Sequence, residues 1–258
     1  MIVYIMTDIE GLAGIDHWDQ CYDPDDESPQ YQYGREQLTA EANAAVAGCF
    51  DAGAAEVRIC DEHGRNNNHG FISEKLDPWA NRVWISQKNP MRLEGLDESV
   101  SAVCVIGQHA MAGTVNGFLD HTQQPMEICR FLVNGEEQGE LGQLALYAGT
   151  FNVAVVHVSG DEACCAEARR LLSNVGTTPT KQGTSWATCQ LDPVAEARER
   201  LRADFAESLS RRHGAPILRP SLSVTIECEW SCSKYVDSIA NILWCTSRTR
   251  THCAMEYC

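Results

Sequence analysis

Apolar residues in this chain come in short unbroken runs, set apart by polar loops and by segments of helical period. Ile2 to Met6 is such a run, the pattern of a strand covered on both faces. A polar, acidic stretch follows from Asp16 to Gly34. Leu38, Ala42, Ala45, Val46, Cys49 and Phe50 then recur at helical spacing, and Gly53 ends the segment. Glu56 to Cys60 reads as a second strand, leading into the polar loop Asp61 to Gly70. Val83 to Ser86 and Ala102 to Gly107 read as further strands. Met126 to Val133 reads as another, turned by Asn134-Gly135 as in a two-residue hairpin. Glu140 to Ala148 is a predicted helix and Val153 to Val158 a buried strand. The turn Ser159-Gly160-Asp161 then leads into a helix from Glu162 to Leu172.

Strands alternating with helices over the first ~175 residues predict an α/β domain, with a largely parallel sheet flanked by helices. The pattern then changes. Asp192 reads as an N-cap with Pro193 at the first helical position, and Val194, Ala197, Leu201, Phe205 and Leu209 line one face before Gly214 closes the helix. Leu222 to Cys228 alternates like a strand. The expected organisation is an α/β domain over residues 1–180 and a smaller C-terminal α+β domain over 181–258. No internal repeat is visible.

Composition narrows the function. The 258 residues carry 36 acids against 20 bases, a formal charge of −16 that argues against a nucleic-acid partner, since such affinity comes largely from neutralising phosphates. No apolar run approaches the roughly 20 residues that span a bilayer, so no membrane partner is expected. The opening run is too short and lacks the basic flank of a signal peptide, which points to a cytoplasmic chain. Thirteen cysteines form no CxxC pair, so neither a zinc ribbon nor a thioredoxin-like motif is indicated. Most read as small buried hydrophobes, Cys164-Cys165 inside a helical pattern among them, with Cys253 and Cys258 open to oxidation.

Ligands of an open α/β sheet gather beyond the carboxyl ends of its strands. After the first run comes Asp8-Ile9-Glu10-Gly11, and after the second Asp61-Glu62-His63. His109 follows the strand Ala102 to Gly107; His121 and Gly139-Glu140-Leu141-Gly142 come later. Singly, such a carboxylate is a cap or turn former and such a histidine a solvated or packed side chain. Together, imidazoles and carboxylates at strand ends are the ligand set of a hydrolytic zinc site, in which a carboxylate can bridge two metals. Other chemistries lack candidates. Gly11-Leu12-Ala13-Gly14 is no dinucleotide fingerprint, and neither a phosphate-binding G-x-x-x-x-G-K-[ST] nor a G-x-S-x-G nucleophile elbow occurs.

These segments carry a resemblance. Thr7-Asp8-Ile9-Glu10-Gly11, Asp61-Glu62-His63 with Asn67-Asn68, Gly107-Gln108-His109-Ala110, His121 and Gly139-Glu140-Leu141-Gly142 occur in the order and at the spacings of the DppA-type D-aminopeptidase family, the M55 zinc metallopeptidases. The likeness covers about residues 1 to 190. It implies a binuclear zinc site, two ions per subunit, in residues 1–180. Asp8 would be the bridging carboxylate, Glu10 and His109 would complete one metal site, and His63 and Glu140 the other. His121 falls where the family has its catalytic residue, described as a nucleophile. A general acid/base role suits an imidazole beside a metal-activated water better. The implied activity is hydrolysis of short peptides with an N-terminal D-residue such as D-alanine, by metal-activated water attack, in a ring-shaped homo-oligomer such as a decamer. The same residues would serve an L-aminopeptidase or another zinc amidohydrolase. A non-catalytic binding module on the same scaffold is the rival class.

The remaining candidates carry less. His69 could line the cleft but reads more simply as solvated, His157 as a hydrogen-bonded core residue, and His17, His213 and His252 as a loop, a helix-end and a tail residue. Lys181 could reach a peptide carboxylate or lie exposed. Asp161-Glu162 reads as the charge complement of a helix N-terminus. After Leu222 to Cys228 the family pattern has a further strand and a closing amphipathic helix. The chain instead runs from Cys245 to Cys258 without that helix, through truncation or divergence.

Overall fold

The computed structural model describes residues 1–24, 27–63, 70–84, 93–239, 245–248 and 252–257. The first half comprises β1 (Ile2–Thr7), α1 (Pro29–Asp51), β2 (Glu56–Asp61), β3 (Ala80–Val83), β4 (Ala102–Gln108), β5 (Ile128–Val133) and β6 (Glu136–Glu137). Next come α2 (Glu140–Thr150), β7 (Val155–Asp161), α3 (Glu162–Leu171), β8 (Gly176–Ser185), β9 (Thr188–Leu191) and α4 (Val194–Ser210). The chain continues through β10 (Val224–Trp230), α5 (Ser233–Ile239), β11 (Cys245–Arg248) and β12 (His252–Tyr257).

Seven strands form the main sheet in the order β3-β2-β1-β4-β7-β8-β9, parallel throughout except for the β8–β9 pair. The predicted α/β architecture with a largely parallel sheet holds. Alternation along β1 splits the core: Val3 and Ile5 join α1 and α4 through Leu38, Ala42, Val46, Leu201 and Phe205. Tyr4 and Met6 face the other way, with Leu141, Leu144 and Ala145 of α2 and Cys164 and Ala168 of α3. Strands buried on both faces explain why the sequence shows unbroken apolar runs.

The boundary expected at residue 180 falls inside β8. That strand reads Gly-Thr-Thr-Pro-Thr-Lys-Gln-Gly-Thr-Ser and has no apolar run to announce it, yet Thr178, Thr180 and Lys181 are buried through hydrogen bonds rather than hydrophobicity. α4 likewise belongs to the main body, since its buried face packs on α1. The second sheet, β11-β12-β10-β5-β6, instead borrows β5 and β6 from the middle of the chain, with Ile226 opposite Val133. Residues 128–137 therefore group with 224–257 rather than with the sequence around them.

Smaller differences have local causes. α1 begins at Pro29, within the stretch read as loop, because the Ser28 hydroxyl accepts from the Tyr31 N–H at 3.2 Å and proline occupies the first turn. Ser159-Gly160-Asp161 is no turn but the buried end of β7, where the Asp161 carboxylate caps α3 by accepting from the Cys164 N–H at 2.9 Å. Asp192 pairs with Arg200 instead of capping α4. β3 starts three residues earlier than read and ends at Val83, before Trp84; the last two residues of that expected strand, Ile85 and Ser86, lie outside the described residues. The hairpin is as expected: Asn134 and Gly135 take φ of 52° and 79°, with Val133 opposite Glu136. Among the described residues, no helix is long and apolar enough to cross a membrane.

Candidate metal centre

β1 lies between β2 and β4, and the strand order reverses beside it, so three adjacent parallel strands end around one cleft. β2 delivers Asp61 and His63, β1 delivers Asp8 and Glu10, and β4 delivers Gln108 and His109. The N-terminus of α2 adds Glu140, and the loop after β4 adds His121. The chain ends of β1 and β4 meet at backbone contact. The Gly11 N–H donates to the Gly107 carbonyl at 2.7 Å, and a Cβ on Gly107 (φ +70°) would stand 2.1 Å from the Asp8 carbonyl oxygen. Only glycine allows that approach.

All six residues proposed from the sequence converge. His63 Nδ1 lies 2.9 Å from Asp8 Oδ1 and 3.4 Å from Glu10 Oε2. His109 Nε2 lies 3.3 Å from Asp8 Oδ2 and 3.5 Å from Glu140 Oε1, and His121 Nε2 lies 3.8 Å from that same Glu140 oxygen. The rings of His109 and His121 stack at 3.7 Å. The donor atoms thus fall into two groups that could each hold a cation, Asp8–Glu10–His63 and His109–His121–Glu140, with Asp8 facing both imidazoles. The family resemblance pairs Glu10 with His109 and His63 with Glu140, whereas here Glu10 stands beside His63 and Glu140 beside His109.

Each imidazole has its far nitrogen tied to a backbone carbonyl. His63 Nε2 donates to the Cys21 carbonyl at 2.6 Å, His109 Nδ1 to that of Ala110 at 2.9 Å, and His121 Nδ1 to that of Leu119 at 2.8 Å. A neutral ring so fixed aims a lone pair at the carboxylates, an arrangement that requires a proton or a metal between them. Glu10 Oε2 and His109 Nε2 are buried there without completing a hydrogen bond of good geometry. Nitrogen and oxygen donors, buried and orphaned, fit zinc.

The electrostatics agree. Burial alone would lower the His63 and His109 imidazoles, but the facing carboxylates, Glu10 for one and Glu140 for the other, hold both well above 6.5. Burial and the Glu10 charge push Asp8 up to about 7, and burial with Glu140 and Asp8 pushes Glu62 up to about 8. Glu10 is held well below the usual carboxylate range, the His63 charge overriding its burial. Burial and the nearby His109 lower His121. Such crowding of buried acids is what a bound cation relieves.

Several residues at the centre were given no role by the sequence reading. Gln108 Nε2 donates to Asp8 Oδ2 at 3.2 Å, and Asp61 accepts from the His63 and Gly70 N–H groups, which fixes the backbone at both residues. Their place at strand ends was the available signal. Trp186 follows the polar β8 and gave none: its indole donates to the Asp120 carbonyl at 3.2 Å and stacks on Trp18, steadying the His121 loop. Lys181 neither lies exposed nor reaches outward. Its ammonium is buried and donates to the carbonyls of Glu10 and Ile15, each at 2.6 Å. His157 is a hydrogen-bonded core residue as expected, His17 is exposed, and His69 lies outside the described residues.

Known proteins carry the same architecture. The family model described as D-aminopeptidase, M55 peptidases, matches residues 1–255. A D-aminopeptidase of Bacillus subtilis (strain 168) is 32% identical over 244 residues, which covers 90% of this chain and 85% of the relative. The solved structure of the Zn-dependent D-aminopeptidase DppA from Bacillus subtilis, a self-compartmentalizing protease, superposes with a TM-score of 0.91 at 28% identity, covering all of this chain and 92% of that one. With a family match over residues 1–255 and a relative 32% identical across 90% of this chain, the chain belongs to the M55 family of D-aminopeptidases.

Proposed function

We propose that this chain is a zinc-dependent aminopeptidase for short peptides with an N-terminal D-residue of the D-alanine type, holding two zinc ions per subunit. The observation that carries it is the set of three carbonyl-anchored imidazoles aimed at Asp8, Glu10 and Glu140, within a chain of this family. Asp8 would be shared between the ions, as its two oxygens already face different histidines. Glu10, His63, His109 and Glu140 would complete the two sites. Zinc bound there would supply a Lewis acid that polarises the scissile carbonyl and makes water a nucleophile at neutral pH.

The chain's own groups do the rest. Gln108 and the Ile9 N–H hold the Asp8 carboxylate in place, at 3.2 and 2.8 Å. His121 moves the proton at Nε2, because Nδ1 is committed to the Leu119 carbonyl. Its position against Glu140 and His109, at the edge of the cluster rather than under Asp8, suits an acid/base group.

The test is metal content together with hydrolysis of paired D- and L-alanyl dipeptides, before and after chelation. Two zinc ions per chain, faster D-peptide hydrolysis, and its loss on chelation with recovery on adding zinc are expected. Protein without zinc, or hydrolysis that survives chelation, would overturn the reading; faster L-peptide hydrolysis would leave the metal centre and overturn the substrate.

A further inference from the structure

The turn that follows β1 is held from below by a strand some 170 residues away. Lys181 is 2% exposed, and its Nζ donates to the Glu10 carbonyl and the Ile15 carbonyl at 2.6 Å each. The hydroxyl of its neighbour Thr180 donates to the Gly11 carbonyl at 2.5 Å and lies 3.0 Å from that of Gly160. The same turn is held from α1, where Glu41 Oε2 accepts from the Ala13 N–H at 2.9 Å. The Phe118 ring lies 4.8 Å from the Lys181 ammonium, and its charge is answered by the buried Glu41 and Asp161 carboxylates.

A buried ammonium is expensive, and an unbranched apolar side chain would fill the same space. What the ammonium adds is a pair of donors on carbonyls of one turn, and one of these belongs to Glu10 itself. Glu10 therefore cannot rotate about its backbone without breaking a charge-assisted hydrogen bond. We propose that Thr180 and Lys181 form a clamp that positions Glu10, so that the affinity of the Glu10-bearing metal site is set from β8. Neither touches the metal-facing atoms; both are positioning residues, acting as the outer partners of metal ligands do. The inference deepens the zinc reading above and rests on it.

Zinc affinity measured by competition against a chromophoric chelator, on wild type, Lys181→Met and Thr180→Val, tests the clamp. Thermal melting of the metal-free proteins is followed alongside. Lys181→Met should weaken one of the two ions by about 10- to 100-fold and leave the other near its wild-type affinity. Thr180→Val should weaken the same ion by less. A general loosening would weaken both ions together with the metal-free melting temperature, and that result would overturn the proposal. So would unchanged affinities in Lys181→Met. Should Lys181→Met fail to fold, Thr180→Val decides alone: selective loss supports the clamp and unchanged affinity removes it. Wild type that binds no zinc would instead bring down the metal reading, and the clamp with it.

Discussion

Two kinds of histidine occupy this molecule, and their hydrogen bonds separate them. His121 has one nitrogen on the Leu119 carbonyl and the other facing Glu140. His121→Ala should keep both zinc ions while turnover falls by about 10²–10⁴-fold, the usual contribution of a general acid–base group. Loss of zinc in that variant would make His121 a ligand, and near-normal turnover would remove its role. His157 has no such free atom. Thr178 donates to Asp204, so His157 Nε2 donates to Thr178, and Nδ1 accepts from Ser208. Burial depresses its imidazole from 6.5 to about 3. Above pH 6.5 both folded and unfolded forms are neutral here. Between 6.5 and about 3 only the unfolded chain takes the proton, so this site lowers stability by up to about 1.4 kcal/mol per pH unit as pH falls. His157→Gln should flatten the dependence of unfolding free energy on pH in that window, measured by denaturant titration. An unchanged slope would mean that His157 takes up its proton alike in the folded and unfolded chain, so that burial does not depress it. Five of the six centre residues were legible because each follows a predicted strand or opens a helix, whereas His121, in the loop after β4, was read from the family resemblance. Gln108 and Lys181 were not, since their meaning lies in partners 100 and 171 residues away.

At the scale of elements, the centre depends on two strand ends that touch. A Cβ on Gly11 would stand 2.1 Å from the Gln108 carbonyl oxygen, and one on Gly107 equally close to that of Asp8. Gly107→Ala adds a strained positive φ to that overlap, so it should cost about 3 kcal/mol or more and spread the strands that carry Asp8 and His109. Denaturant midpoints and zinc stoichiometry measured together check this. A stable Gly107→Ala protein with full zinc would mean that the β1–β4 approach is slack. Unbroken apolar runs announced β1, β4 and β7, whereas β8 stayed hidden because hydrogen bonds of Thr178, Thr180 and Lys181 replace the hydrophobic signal. The same concealment let a boundary be read at residue 180, within β8. A polar strand in a parallel sheet is invisible to periodicity, and here it is the strand under the turn that carries Glu10.

Among the described residues, one strand face is patterned for burial yet left half open. Along β10, Val224, Ile226, Cys228 and Trp230 alternate with Thr225, Glu227 and Glu229, the pattern of a strand with one buried face. Phe131 and Val133 of β5 lie opposite Cys228 and Ile226 and extend that apolar face. Of these residues only Cys228 is buried in the single chain. A face patterned for burial and left half open is suited to a second copy of the same surface, since soluble oligomers are mostly closed and symmetric. The expected outcome is a closed homo-oligomer, with a light-scattering mass several times the 28.5 kDa of one chain. Ile226→Glu would bury a charge in that contact, so it should lower the mass while leaving zinc binding by the strand ends of the main sheet intact. A wild-type mass near 28.5 kDa would overturn the assembly. An Ile226→Glu protein of undiminished mass would move the interface elsewhere, because a contact built on β10 cannot absorb that carboxylate without loss.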